Sequence, residues 1–123
     1  FILYYRNEGD GTFAEAADEA GLRGRKAASF GLLSADFDND GWTDLFVSIV
    51  GEPNILYFNN GDGTFSDRVS TTGLPLEDLH DDLLASTGDY NRDGFLDLFV
   101  NNFEFAPVNA PFENGGNDNH WLQ

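Results

Sequence analysis

The chain has 123 residues, with 22 acidic side chains against 6 basic ones and a formal net charge of −16. Such a balance excludes nucleic-acid binding through phosphate contacts and attraction to an anionic membrane surface. A hydrophobic fraction of 41% is enough for a core, while the absence of cysteine excludes a disulfide framework and a thiolate zinc site.

The predicted elements begin with a hairpin. Leu3-Tyr4-Tyr5 runs into Gly9-Asp10-Gly11-Thr12-Phe13. Asp and Gly tolerate the positive φ of a tight turn, so Asp-Gly between apolar runs is a hairpin signal. Asp10 reads as a turn residue. A single helical turn is expected over Glu15–Ala20, stopped by Gly21, and Asp18–Gly24 reads as a polar connector.

Next comes a strand over Gly31–Phe37, then the acidic segment Asp36-Phe37-Asp38-Asn39-Asp40-Gly41-Trp42-Thr43-Asp44. A second strand is predicted over Asp44–Val50, a turn at Gly51-Glu52-Pro53, a third strand over Asn54–Asn59 and a fourth from Thr64. Between the last two, Gly61-Asp62-Gly63-Thr64-Phe65 repeats the first hairpin, and Asp62 repeats Asp10. In Leu45-Phe46-Val47-Ser48-Ile49-Val50 both alternate faces are apolar, so both need cover from neighbouring sheets. Four antiparallel strands in roughly 50 residues match one propeller blade.

Thr71–Asp82 reads as a further connector. The acidic segment then returns as Asp89-Tyr90-Asn91-Arg92-Asp93-Gly94-Phe95-Leu96-Asp97, followed by the same word Asp-Leu-Phe-Val at Asp44–Val47 and Asp97–Val100. Residues 83–103 supply the first two strands of another unit. The tail echoes a second half, with Pro107…Phe112-Glu113-Asn114-Gly115 matching Pro53…Phe58-Asn59-Asn60-Gly61. Asn119-His120-Trp121-Leu122 is a last strand or the start of another domain. The predicted class is all-β: about two and a half four-stranded antiparallel propeller-type blades. They form a single repeat region over 1–123, divided into a half blade 1–26, a full blade 27–72 and a third blade 83–123.

Acidic or amide side chains at positions 1, 3, 5 and 9, with Gly at position 6, suit a hard cation that takes six or more oxygens. The expected ligands are Asp36, Asp38, Asp40, Asp44 and the carbonyl of Trp42 in the first loop. In the second they are Asp89, Asn91, Asp93, Asp97 and the carbonyl of Phe95. All-oxygen donors in a flexible, high-count set favour Ca²⁺ over Zn²⁺, copper or Mg²⁺, so two Ca²⁺ sites are expected. The first loop, with four carboxylates against three, should bind more tightly. An EF-hand is excluded, because its twelfth position needs Glu between helices and Val47 and Val100 stand there instead. His80 and His120 read as connector and packing residues, not as metal ligands or bases.

The Phe30-Gly31 pair, the Asp-x-Asp-x-Asp-Gly-x-x-Asp-Leu loop and the Asn-x-Gly-Asp-Gly-Thr-Phe hairpin resemble FG-GAP/VCBS repeats, the blades of the integrin α-subunit type of β-propeller. The resemblance covers residues 1–118. It implies calcium in the loop between the first two strands of a blade, and an extracellular, periplasmic or cell-surface module that binds proteins or carbohydrates. Residues 114–122 resemble the opening of the ASPIC/UnbV segment that follows such repeats in large secreted proteins. Two and a half blades do not close a propeller, so open apolar faces and self-association are expected. With no methionine and no visible signal peptide, the chain reads as a piece of a longer protein or a processed product; no apolar run spans a bilayer.

A competing enzymatic reading exists. Leu32-Leu33-Ser34-Ala35-Asp36-Phe37-Asp38 resembles the nucleophile loop of haloacid-dehalogenase-type phosphatases, which use Mg²⁺ with Asp36 and Asp38 in the catalytic places. That chemistry needs a parallel α/β sheet and a downstream lysine; the one lysine here, Lys26, lies upstream. No base, nucleophile and orienting group occur together, so a non-catalytic module is the expectation, whether on its own or as a fragment of a larger propeller enzyme.

Overall fold

A computed structural model of the protein describes residues 2–23, 28–72, 74, 82–102, 110–116 and 121–122. Ten strands and one short helix are present among them: β1 (Tyr5–Asn7), β2 (Phe13–Glu15), β3 (Ser29–Ala35), β4 (Asp44–Ile49), β5 (Ile55–Asn59), β6 (Phe65–Asp67), α1 (Val69–Thr72), β7 (Asp82–Gly88), β8 (Asp97–Asn102), β9 (Ala110–Asn114) and β10 (Trp121–Leu122). They form three antiparallel sheets. β1-β2 is a two-stranded half blade, and β3-β4-β5-β6 and β7-β8-β9-β10 are four-stranded blades in sequential order. Trp121–Leu122 is thus the last strand of the third blade, paired with Asn114 and Glu113. No described pairing is parallel, so the parallel scaffold that the phosphatase reading requires is not found among the described residues.

The two apolar faces of β4 go into two different cores. Leu45, Val47 and Ile49 join Ile55, Tyr57, Ala17, Ala20 and Leu22, between the half blade and the second blade. Phe46, Leu56 and Phe58 join Ala35, Phe37, Leu98, Val100 and Phe112, between the second and third blades. Register keeps each face coherent, because Leu45 pairs with Tyr57, Phe46 with Leu56 and Val47 with Ile55. A strand of period two can fill both cores only if its odd and even positions are both apolar, which is the composition of β4.

The described part of the far face of the third blade is mixed in character. Register aligns the rung Leu33–Phe46–Leu56 of the second blade with Ser86–Phe99–Pro111 of the third. Ser86, Pro111 and the nearby Glu113 are exposed. Phe99 and the exposed Leu84 keep apolar character on that face, while the sequence puts Ser, Pro and Glu where the second blade has Leu, Leu and Phe.

Several element ends move by a residue or two. β3 stops at Ala35, not Phe37, because the Phe37 N–H already turns inward to Asp44. β5 starts at Ile55, since Asn54 serves the preceding turn, its Oδ1 accepting the Ile49 N–H at 2.8 Å. Glu15 belongs to β2, so the helical turn begins at Ala16: Ala20 N–H bonds the Ala16 carbonyl, and Leu22 and Gly21 N–H bond the carbonyls of Ala17 and Asp18. That pair is a Schellman stop, with Gly21 at φ 72°. The turn then docks on the second blade through Phe65 N–H to the Ala20 carbonyl at 2.8 Å. Helix α1 occupies the start of the expected connector. Most of that connector, with His80, lies outside the described residues, as does His120.

Candidate metal centre

The first acidic loop is wound on its own carboxylates. Asp36 accepts the N–H of Asp40 at 3.2 Å and of Gly41 at 2.9 Å, one on each oxygen. Asp40 Oδ1 accepts the Trp42 N–H at 2.8 Å. The chain reverses through Asn39 at φ 56° and Gly41 at φ 91°. The result gathers Asp36, Asp38 and Asp40, with one carboxylate oxygen from each lying within 4.8 Å of the others.

Asp38 carries the decisive feature. Its Oδ1 is buried and has no hydrogen-bond partner. Burial, and then the neighbouring Asp40 carboxylate, hold its carboxyl above the ordinary value. A buried acceptor without a donor is costly; a cation among three carboxylates removes that cost. The donor set therefore fits a hard divalent ion, which Asp36, Asp38 and Asp40 would hold and which would neutralise their charge.

Asp44 lies outside that three-carboxylate group but near enough to feel the charges of Asp38 and Asp40. It is 0% exposed; Oδ2 accepts the Phe37 N–H at 2.8 Å and Oδ1 the Asn59 N–H at 2.9 Å. Those two bonds tie the loop to β5. Burial pushes the Asp44 carboxyl up to about 6, against the opposing pull of both amides.

The second loop repeats the frame atom for atom. Asp89 accepts the N–H of Asp93 and of Gly94, both at 3.1 Å, and Asp93 Oδ1 accepts that of Phe95 at 2.9 Å. Asp97, 2% exposed, accepts Tyr90 N–H at 2.9 Å and Asn114 N–H at 2.8 Å. The difference is at position 3, where Asn91 replaces Asp38. Asn91 Oδ1 accepts the Asp93 N–H at 2.9 Å and its Nδ2 donates to Asp93 Oδ2 at 2.8 Å. The second donor set is thus two carboxylates and an amide, closed on itself by hydrogen bonds.

Two features escaped sequence reasoning. One is the left-handed conformation at position 4, which Asn39 accommodates easily and Arg92, at φ 64°, less so. The other is the use of the aromatic at position 7: the Trp42 ring lies over Gly61, where a Cβ would fall 2.7 Å from Nε1, and the Phe95 ring lies over Gly116. The shared spacing of an aromatic at position 7 and a later Asn-x-Gly was the available signal. Asp10 and Asp62 are turn residues, each accepting the amide and hydroxyl of Thr12 or Thr64.

Between the half blade and β3 runs an apolar groove of about 620 Å³, lined by Leu3, Phe30, Leu32 and Phe65 among others. Among the described residues, no helix is long and apolar enough to cross a membrane.

Comparison with known proteins places matches along most of this architecture. The family model of the FG-GAP-like repeat matches residues 2–47 and 36–100. Cartilage acidic protein 1 of Xenopus tropicalis is 33% identical over 90 residues, covering 73% of this chain and 14% of that protein. The Homo sapiens cartilage acidic protein 1 is 29% identical over 109 residues, covering 86% of this chain and 16% of its own length. Integrin alpha-3 of Mus musculus is 31% identical over 108 residues, covering 77% of this chain and 10% of that protein. The chain therefore spans a small fraction, 10 to 16%, of the length of these relatives.

Proposed function

Since the chain belongs to the FG-GAP-like repeat family, we propose that it is a calcium-braced stretch of an extracellular propeller-type module that binds a protein or carbohydrate and carries out no catalysis. The blade divisions at 1–26, 27–72 and 83–123 go with this reading. The observation that carries it is Asp38 Oδ1, buried and unpartnered inside a cluster of three carboxylates. Ca²⁺ is the proposed ion in both loops. Asp36, Asp38 and Asp40 hold it in the first loop and Asp89, Asn91 and Asp93 in the second, completed by the carbonyls of Trp42 and Phe95 and by Asp44 and Asp97. Similarity to integrin alpha-3 and cartilage acidic protein 1 supports an extracellular or cell-surface location.

The test is thermal unfolding with chelator, with Mg²⁺ and with Ca²⁺. Ligand that binds only the native state adds about 4 kcal/mol at a thousand times its dissociation constant, so a Ca²⁺-specific rise in Tm is expected. Equal effects of Mg²⁺ and Ca²⁺, or none from either, would sink the calcium reading. Calorimetric titration should show the Asp36 loop filling at the lower concentration.

Self-association is proposed through the groove beside Phe30 and Leu32, which are 64% and 68% exposed; a second copy of this chain is the occupant. Sedimentation should show a dimer that Leu32→Ser weakens. A monomer at every concentration would rule it out.

A further inference from the structure

The two acidic loops are joined by side chains as well as by the sheets behind them. Asn114, at the end of β9, is 4% exposed. Its N–H donates to Asp97 Oδ1 at 2.8 Å, and its Oδ1 accepts the Gly116 N–H at 3.2 Å. Its Nδ2 donates to the Leu96 carbonyl at 3.3 Å and, across the blade boundary, to the Phe37 carbonyl at 2.6 Å. Phe37 is position 2 of the first loop, and its own N–H is held by Asp44. An unbroken chain of bonds thus runs Asp97, Asn114, Phe37, Asp44.

A second link lies nearer the surface. Asn39, position 4 of the first loop, donates from Nδ2 to the carbonyl of Gly94, position 6 of the second, at 2.9 Å. Asn59 takes the place of Asn114 in the second blade, with its N–H on Asp44, its Nδ2 on the Thr43 carbonyl at 3.1 Å and its Oδ1 receiving Gly61 N–H. The bond within the blade is common to both residues, and Asn114 in addition reaches the loop of the preceding blade.

We propose that Asn114 and Asn39 are positioning residues that couple the two loops, so that cation binding at one strengthens binding at the other. The inference rests on the reading of both loops as cation sites. An ion that orders the second loop fixes Asp97 and the Gly94 carbonyl. Through Asn114 and Asn39 it then fixes Phe37 and position 4 of the first loop, so the first site is met already ordered.

The experiment is a binding cycle read on the first loop. Trp42 lies in that loop and the other tryptophan is Trp121, so in a Trp121→Phe background emission reports the first site during Ca²⁺ titration. Asp93→Ala silences the second loop. It is expected to weaken Ca²⁺ at the first by about 5-fold or more, in the usual range of coupling between sites. With Asn39→Gly and Asn114→Ala also present, the same substitution should change the affinity by less than about 2-fold. Should Asn114→Ala not fold, Asn39→Gly alone, which suits the left-handed backbone, should still reduce the Asp93→Ala effect. An effect undiminished by either asparagine variant assigns the coupling to charge or to the sheets and overturns the proposal. First-site affinity indifferent to Asp93→Ala overturns it too. No Ca²⁺ response at either loop, by fluorescence and by calorimetry, defeats instead the site reading beneath it.

Discussion

Asp44→Ala and Asp97→Ala are expected to destabilise the protein by about 2–5 kcal/mol with no cation present, because each leaves two backbone amides without their acceptor, at about 1–3 kcal/mol apiece. Each carboxylate is almost wholly buried and receives two backbone N–H groups, Phe37 and Asn59 on Asp44, Tyr90 and Asn114 on Asp97. Alanine removes the acceptors of both amides at once, the Phe37 and Asn114 bonds being buried and the Asn59 and Tyr90 bonds part-buried, and hydrogen bonds to charged groups contribute about 1.5–3 kcal/mol each. The bonds also close the acidic loop onto the third strand of the blade, so their loss frees the corner. Asp40→Ala and Asp93→Ala, at exposed positions, should cost far less. Urea unfolding in excess chelator measures the difference. If Asp44→Ala were no worse than Asp40→Ala, the carboxylate would not be the tie described here.

Asp38→Asn is expected to do the opposite without cation: the metal-free protein becomes more stable, while the Ca²⁺-induced rise in Tm attributable to the first loop shrinks toward that of the second. The substitution removes a half-buried charge whose buried Oδ1 has no donor and which its neighbours Asp40 and Asp36 repel. It leaves an amide, which is what the second loop carries at Asn91. The same physics sets the pH dependence. Asp38 and Asp44 are both raised above the ordinary 3.8, Asp44 to about 6. Between those values the native state binds more protons than the unfolded chain, so metal-free stability falls as pH rises from about 4 to 6. Cation binding needs the ionised forms, so the Ca²⁺ increment should grow over the same interval. A Ca²⁺ increment as large at pH 4.5 as at pH 7, or an Asp38→Asn variant less stable than the parent in chelator, would contradict this account.

Much of the architecture is legible in the residues. Asp-Leu-Phe-Val after each acidic segment marks the second strand of a blade, because an apolar run on both alternate faces has to be covered twice. The Gly-Asp-Gly-Thr-Phe words mark the hairpins, because Asx turns and positive φ leave few other residues. The roles inside the loop were less legible. Positions 1, 3, 5 and 9 look alike in the sequence, yet Asp36 and Asp40 cap loop amides, Asp38 keeps an oxygen without a donor, and Asp44 ties down a neighbouring strand. Those distinctions depend on which N–H groups the fold brings near.

By itself the sequence determined the repeat, the all-β class, the acidic loops and their oxygen-only donor chemistry, since period, turn residues and side-chain type are local properties. Only the tertiary structure decided that the two faces of β4 enter separate cores on either side of the second blade, and that Asp44 and Asp97 are buried ties. The same holds for Asn114, 77 residues from the Phe37 carbonyl it reaches. Such contacts arise when sheets stack, and the burial that makes them strong exists only once the blades have packed.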